Sequence, residues 1–204
     1  MAKFFKSTWF KCTAVLLTIA LVSGGLLALL NDLLYVSAEE RTGRAFQKIY
    51  GRAYDSSEYT TIVDVDSDNI QVNQPVVCEG FGQIEKIYLV GDVNSKHDVL
   101  FKTTGNEGYK GGTVTMWIKV VVDGSSLTID KVLIDGNTKQ TLMSKLGESF
   151  TNGFFIDISQ NYDTYFTAND KEDGIKNPVS GATYSAQAGC NAVNCILKYL
   201  RGQI

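Results

Sequence analysis

The chain has 204 residues and a formal net charge of −3, with 19 Lys+Arg against 22 Asp+Glu. The charges are dispersed, which excludes the basic surface of a nucleic-acid binder, and the length suits one domain of ordinary size with an appendage. Four cysteines (Cys12, Cys78, Cys190, Cys195) form no CxxC pair, and the single histidine, His97, has no ligand partner near it in sequence. A zinc or iron–sulfur centre, which needs about four soft ligands at workable spacing, is thereby disfavoured.

Residues 12–30, CTAVLLTIALVSGGLLALL, carry no charge. At about 1.5 Å per residue the run is about 28 Å long, close to the hydrocarbon thickness of a bilayer. It predicts a membrane helix over 12–36. Lys3, Lys6 and Lys11 precede it, whereas Asn31, Asp32, Glu39 and Glu40 come after it and before Arg41. The positive-inside rule then puts residues 1–11 in the cytoplasm and 37–204 outside, with Trp9, Phe10 and Tyr35 at the interfaces. Val36-Ser37-Ala38 resembles a signal-peptidase site, but the apolar run exceeds the usual signal-peptide core of about 7–15 residues, so an uncleaved anchor is expected. Ser23, Gly24 and Gly25 suit close approach of another membrane helix.

Ser37 and Glu40 form a capping-box pattern ahead of a helix over 38–50 that ends at Gly51. Runs rich in Val, Ile, Thr and Tyr predict strands at 59–65, 70–73, 84–90, 99–104, 113–122 and 126–135. The last two are joined as a hairpin at Asp123-Gly124-Ser125-Ser126. A helix is expected over 138–147, opened by Asn137 or Thr138, then an aromatic-rich stretch over 149–170. The final helix, 182–201, carries an apolar stripe of Val193, Ile196, Leu197 and Leu200. This order is that of an α+β domain, an antiparallel sheet with helices segregated to one side, preceded by a single N-terminal transmembrane helix. Cys190 and Cys195 lie too far apart around a helix to ligate together. Outside the cytoplasm Cys78 could pair with either of them, and the sequence leaves that choice open.

One stretch carries chemistry. In Ser180-Gly181-Ala182-Thr183-Tyr184-Ser185, Gly181 allows close backbone approach, and the helix that follows offers unpaired N–H groups and a positive dipole end, a combination that binds phosphate. Hydroxyls at 180, 183 and 185 add donors. The plainer alternative is a helix cap and nothing more. The neighbouring Gly-rich stretch GNEGYKGG (105–112) lacks the order of a nucleotide loop and the helix that should follow one.

SGAT at 180–183, followed by Ser185 and a helix, resembles the flavinylation motif of the FMN-binding domain family. That family includes the G subunit of the Rnf complex and the C subunit of the sodium-pumping NADH:quinone reductase. The resemblance is tight over about 177–190 and loose over most of the chain: one membrane span, a helix leaving it, an outer α+β domain, and the motif near the C-terminus. EGYKGGTVTMWIKVVVDG (107–124) resembles the family's Gly-Tyr-Gly-rich turn and long strand. The resemblance implies FMN esterified through its phosphate to Thr183, with Ser180, Gly181, Ala182, Tyr184 and Ser185 around the link. A separate flavin transferase using FAD and Mg²⁺ makes that bond in the family, so no catalytic base is expected in this chain. Asn177 stands where family members often have an acidic residue. The family's Thr-Pro-Gly-Leu-Gly stretch survives only as Lys145-Leu146-Gly147, with Lys145 a candidate near the flavin or its phosphate. Tyr109 and Tyr184 are the candidate aromatic neighbours of the ring, while Trp117 and Phe154 read as core.

The implied function is electron transfer within a membrane complex of several subunits, of the type that moves electrons between reduced ferredoxin and NAD⁺ and couples this to Na⁺ or H⁺ transport. The ferredoxin and NAD sites would lie on partner subunits, because this chain offers neither iron–sulfur ligands nor a dinucleotide fold. The quinone-reductase subunit is the near alternative, disfavoured by the short chain. A cofactor-free, membrane-anchored assembly module is the alternative from another class. A lipoprotein-like carrier is disfavoured, because Cys12 precedes the apolar run instead of following it.

Overall fold

The computed structural model describes residues 8–64, 74–124, 126–147, 149–155, 165–168 and 182–202. The chain divides into two compact units, residues 1–42 and 43–204.

The first unit is dominated by helix α1, Thr8–Leu34. Its apolar part, Lys11–Leu34, has a mean hydropathy of 2.3 and none of it is buried within the protein. That is long and apolar enough to cross a membrane. Two of its polar side chains turn inward on the helix itself: Thr13 Oγ1 donates to Trp9 O (3.0 Å) and Thr18 Oγ1 to Ala14 O (2.8 Å). Such internal satisfaction is what a hydrocarbon surrounding requires. Helix α2, Ala38–Tyr50, begins at the expected cap, where Ser37 Oγ accepts from Glu40 N at 3.1 Å. It ends at Gly51, whose φ of 76° is left-handed and releases the chain from the helix.

The second unit is built on six antiparallel strands: β1 (Tyr59–Asp64), β2 (Val76–Cys78), β3 (Gly82–Val90), β4 (His97–Gly105), β5 (Val114–Asp123) and β6 (Ser126–Asn137). Their order is β1-β3-β4-β5-β6. The short β2 shares the outer edge of β3 with β1: β1 pairs with Lys86–Val90 and β2 with Gly82–Ile84. The β5–β6 hairpin closes with Asp123 opposite Ser126 and Gly124 at φ 61°, as the turn sequence predicts. The expected strand at 70–73 lies outside the described residues. Strand β2, which begins just after Pro75, was not predicted.

Two expectations are corrected. The helices are not gathered on one side of the sheet. Successive residues of the central strands are apolar on both faces, so both faces need cover. On one face Tyr88, Leu100 and Trp117 pack with Ala45, Phe46 and Ile49 of α2. On the other, Ile87, Phe101, Met116 and Ile118 pack with Ala188, Ala192, Val193 and Ile196 of helix α3, Thr183–Leu200. The second correction concerns 138–147, which is a turn followed by a single 3₁₀ turn at Met143–Lys145. Thr138 and Gln140 explain it. Thr138 Oγ1 meets Thr113 N and Thr113 Oγ1, each at 3.0 Å, and Gln140 Nε2 donates to Thr138 O at 2.9 Å. Side chains thus take backbone partners that a helix would need.

Trp117 is buried, as read from the sequence; the side chain of Phe154 lies outside the described residues. Phe46 centres an aromatic cluster, with ring centroids 4.7 Å from Tyr59 and 5.4 Å from both Tyr54 and Tyr88. All four cysteines are free thiols. Cys78 Sγ lies 3.8 Å from Cys195 O, across the contact of β2 with α3. The Cys78 thiol beside it, and then burial, push the Cys195 thiol up.

Candidate functional site

Helix α3 is a rigid platform, since most residues from Ser185 to Leu197 are buried. Small residues let it approach the sheet. A side chain at Gly105, the last residue of β4, would meet the backbone of Ala188 and Ala192. That contact brings the N-terminal half of α3 alongside the turn that follows β4.

That turn, residues 105–112, is held in an unusual shape. Glu107 (φ 64°) and Lys110 (φ 52°) are left-handed without being glycine, a conformation that costs on the order of 1–2 kcal/mol per residue and persists only where surroundings enforce it. Two α3 and loop side chains enforce it here. Asn191 Nδ2 reaches Asn106 O, Asn106 Oδ1 and Glu107 Oε2 at 3.1–3.2 Å. Gln140 Oε1 accepts from Tyr109 N at 3.1 Å. Side chains at Gly108 and Gly112 would collide with the Gln140 amide, so both glycines give it room.

The same Gln140 Oε1 accepts from Ser185 Oγ at 2.8 Å. One side chain thereby ties the Gly-rich turn to the first turn of α3. Between them opens a cleft of about 290 Å³ lined by Tyr109, Thr141, Leu142, Ala182, Thr183, Tyr184 and Ser185. That lies at the small end of ligand pockets, roughly 300–1,000 Å³. Thr183 is the first residue of α3 and is half-buried. Ala182 at the cap position brings no side-chain oxygen to the first N–H groups of the helix. The first N–H groups of a helix are the donors that an acceptor in the cleft would meet. Among the described residues that line it none carries a formal charge, and the helix start contributes positive potential. Tyr109 and Tyr184 are partly exposed, with ring centroids 6.3 Å apart and tilted by 60°. Lys110 Nζ lies 5.3 Å from the Tyr109 ring centroid.

The structure therefore brings together Ala182, Thr183, Tyr184, Ser185 and Tyr109 of the residues singled out in the sequence. Ser180, Gly181 and Asn177 lie outside the described residues. Lys145, Leu146 and Gly147 do not line the cleft. Leu146 is buried in the core on the α3 face of the sheet, Lys145 is exposed, and the positions that do line it are Thr141 and Leu142. The stretch forms a 3₁₀ turn at Met143–Lys145 instead of the expected helix. Gln140 and Asn191 were missed. The only sequence signal for Gln140 was indirect, the glycines at 108 and 112 that make space for it.

Ser185 is informative about the cap alternative. Its hydroxyl donates to Gln140 and is buried, so it serves the joint between the two cleft walls.

Comparison with protein-family models, with curated proteins and with solved structures finds no match for this chain.

Proposed function

We propose that the chain is a membrane-anchored flavin carrier, with FMN joined through its phosphate to Thr183, acting as the electron-transfer subunit of an Rnf-type ion-translocating oxidoreductase. Helix α1 is the anchor. Residues 1–11 lie in the cytoplasm and the sheet domain on the other side, following the charge asymmetry about α1. The remaining redox and transport sites belong to partner subunits, so this chain has no complete active site of its own.

The observation that carries the reading is Thr183, which lines the cleft at the start of a buried helix whose cap residue, Ala182, makes no side-chain cap hydrogen bond. A phosphate there meets backbone N–H groups and the positive end of the helix. Ala182 adds little bulk, and Tyr109 and Tyr184 offer aromatic surface at the mouth. These residues suit the phosphate end of FMN and one edge of its ring. The resemblance of SGATYS to the flavinylation motif supplies the identity of the group.

The attachment balances with FAD as donor and a flavin transferase as catalyst. Thr183 Oγ1 bonds to the flavin-side phosphorus, the phosphoanhydride bond breaks, AMP leaves, and the hydroxyl proton passes to the transferase or solvent. Once attached, FMN supplies the electron-carrying chemistry, and the protein holds it and sets its surroundings.

The test is flavin fluorescence of the denatured full-length chain on a gel, from cells that also make the transferase. The wild-type band should fluoresce and Thr183→Ala should be dark. A dark wild-type band, or a fluorescent Thr183→Ala band, would sink the proposal.

A further inference from the structure

We infer that Gln140 is the positioning residue of this site: it sets the spacing of Tyr109 and Tyr184 across the mouth of the cleft and the presentation of Thr183 between them. The inference rests on the flavin reading for its functional meaning and on four structural observations for its geometry. Gln140 Oε1 takes one hydrogen bond from each wall, Tyr109 N on the turn and Ser185 Oγ on α3. Its Nε2 is held by Thr138 O, which is two residues earlier, so the amide cannot rotate freely. Gly108 and Gly112 both lack a side chain where Gln140 sits. Ser185, its partner, is buried only two residues from Thr183.

A single acceptor shared by two walls fixes their separation, because neither donor can shift without losing its bond. The residues joined are 31 and 45 positions away in sequence; Asn191 holds an earlier part of the turn further along α3, so Gln140 is the link at Tyr109 and Ser185. Gln140 need not touch the flavin; it acts through Ser185 and Tyr109.

The experiment uses the full chain with its transferase and FAD, comparing Gln140→Ala, Ser185→Ala and the double variant with the wild type. Gln140→Ala should lower the transferase kcat/KM for the chain about 10- to 100-fold, the usual consequence of misplacing a reacting group by about 1 Å. Ser185→Ala removes the α3 half of the same link, so the double variant should lose little more than Gln140→Ala alone, whereas a merely bulky or stabilising role of Gln140 would give additive losses. In parallel, amide hydrogen exchange is followed without flavin, where the Tyr109 amide should exchange about tenfold faster in Gln140→Ala than in wild type. Wild-type rates of flavin attachment in Gln140→Ala, or additive losses in the double variant, would overturn the positioning role. Unchanged exchange at Tyr109 would overturn the clamp itself. A wild-type chain that takes no flavin would instead sink the functional reading, and with it the positioning role. The exchange result separates that outcome from failure of the clamp.

Discussion

Replacing Asn194 by alanine tests how the chain is fastened to α3 beyond the sheet. Asn194 is 1% exposed. Its Oδ1 accepts from Phe166 N at 2.8 Å and its Nδ2 donates to Phe166 O at 2.9 Å, so one side chain serves both polar groups of one residue. Phe166 is itself buried, with its ring 5.5 Å from Phe155 and perpendicular to it. Alanine takes both partners away. Each buried polar group stripped of a partner costs about 1–3 kcal/mol, and partial relaxation brings the sum to about 2–5 kcal/mol. For a chain of this size about 2–4 °C of melting temperature goes with each kcal/mol, so a drop of about 5–15 °C is expected. The assay is thermal and urea unfolding of the detergent-solubilised protein, followed by far-UV circular dichroism. Asn194→Asp sharpens it. Its carboxylate can still accept from Phe166 N, but the second oxygen then faces Phe166 O, and burial raises the pKa of such a carboxyl. Its folded pKa being raised, Asn194→Asp should regain stability as pH falls, when the protonated acid donates to Phe166 O. A loss below about 0.5 kcal/mol for Asn194→Ala, or an Asn194→Asp stability that ignores pH, would refute the reasoning.

The remaining predictions concern the seam between β4 and α3 and the alkaline limit of the fold. Gly105→Ala puts a methyl group against the α3 backbone at Ala188 and Ala192, which has no flexible side chain to yield. A loss of about 1–3 kcal/mol or more is expected, and a near-neutral urea midpoint would show that the packing is looser than described. Burial and the nearby Asp98 and Asp130 carboxylates push the Tyr50 phenol up from 10.0. Burial opposes the charge on Lys119, but Asp130 and Asp98 outweigh it and raise its pKa above 10.5. Both folded pKa values being raised, their contributions are full below about pH 10 and are lost as pH rises through the folded values. Urea midpoints should therefore fall above pH 10, less steeply in Tyr50→Phe. A midpoint that is flat to pH 11, or as steep in Tyr50→Phe, would contradict this.

How much was legible in the sequence follows from the range of the interaction. An uncharged run long enough to cross a bilayer, the Ser37 cap and Gly51 stop of α2, the β5–β6 turn and the start of α3 are written in residues a few positions apart. Composition and local periodicity therefore located them. The SGATYS stretch was legible for the same reason, as small and hydroxylic residues directly ahead of an amphipathic run. The two-sided cover of the sheet was not. Continuous apolar residues in β3, β4 and β5 show that both faces are buried without saying what buries them, and α2 and α3 are interchangeable in that respect until the chain is folded. The cleft was legible on its α3 side and, across from it, only at Tyr109. Its other wall depends on Gln140 reaching Ser185 across 45 positions and Tyr109 across 31. It depends also on Thr138 and Gln140 diverting a stretch of helical composition into a turn. Hydrogen bonds of that separation leave no periodicity in a sequence, because either partner alone reads as an ordinary surface residue. Only the tertiary structure decides that they meet.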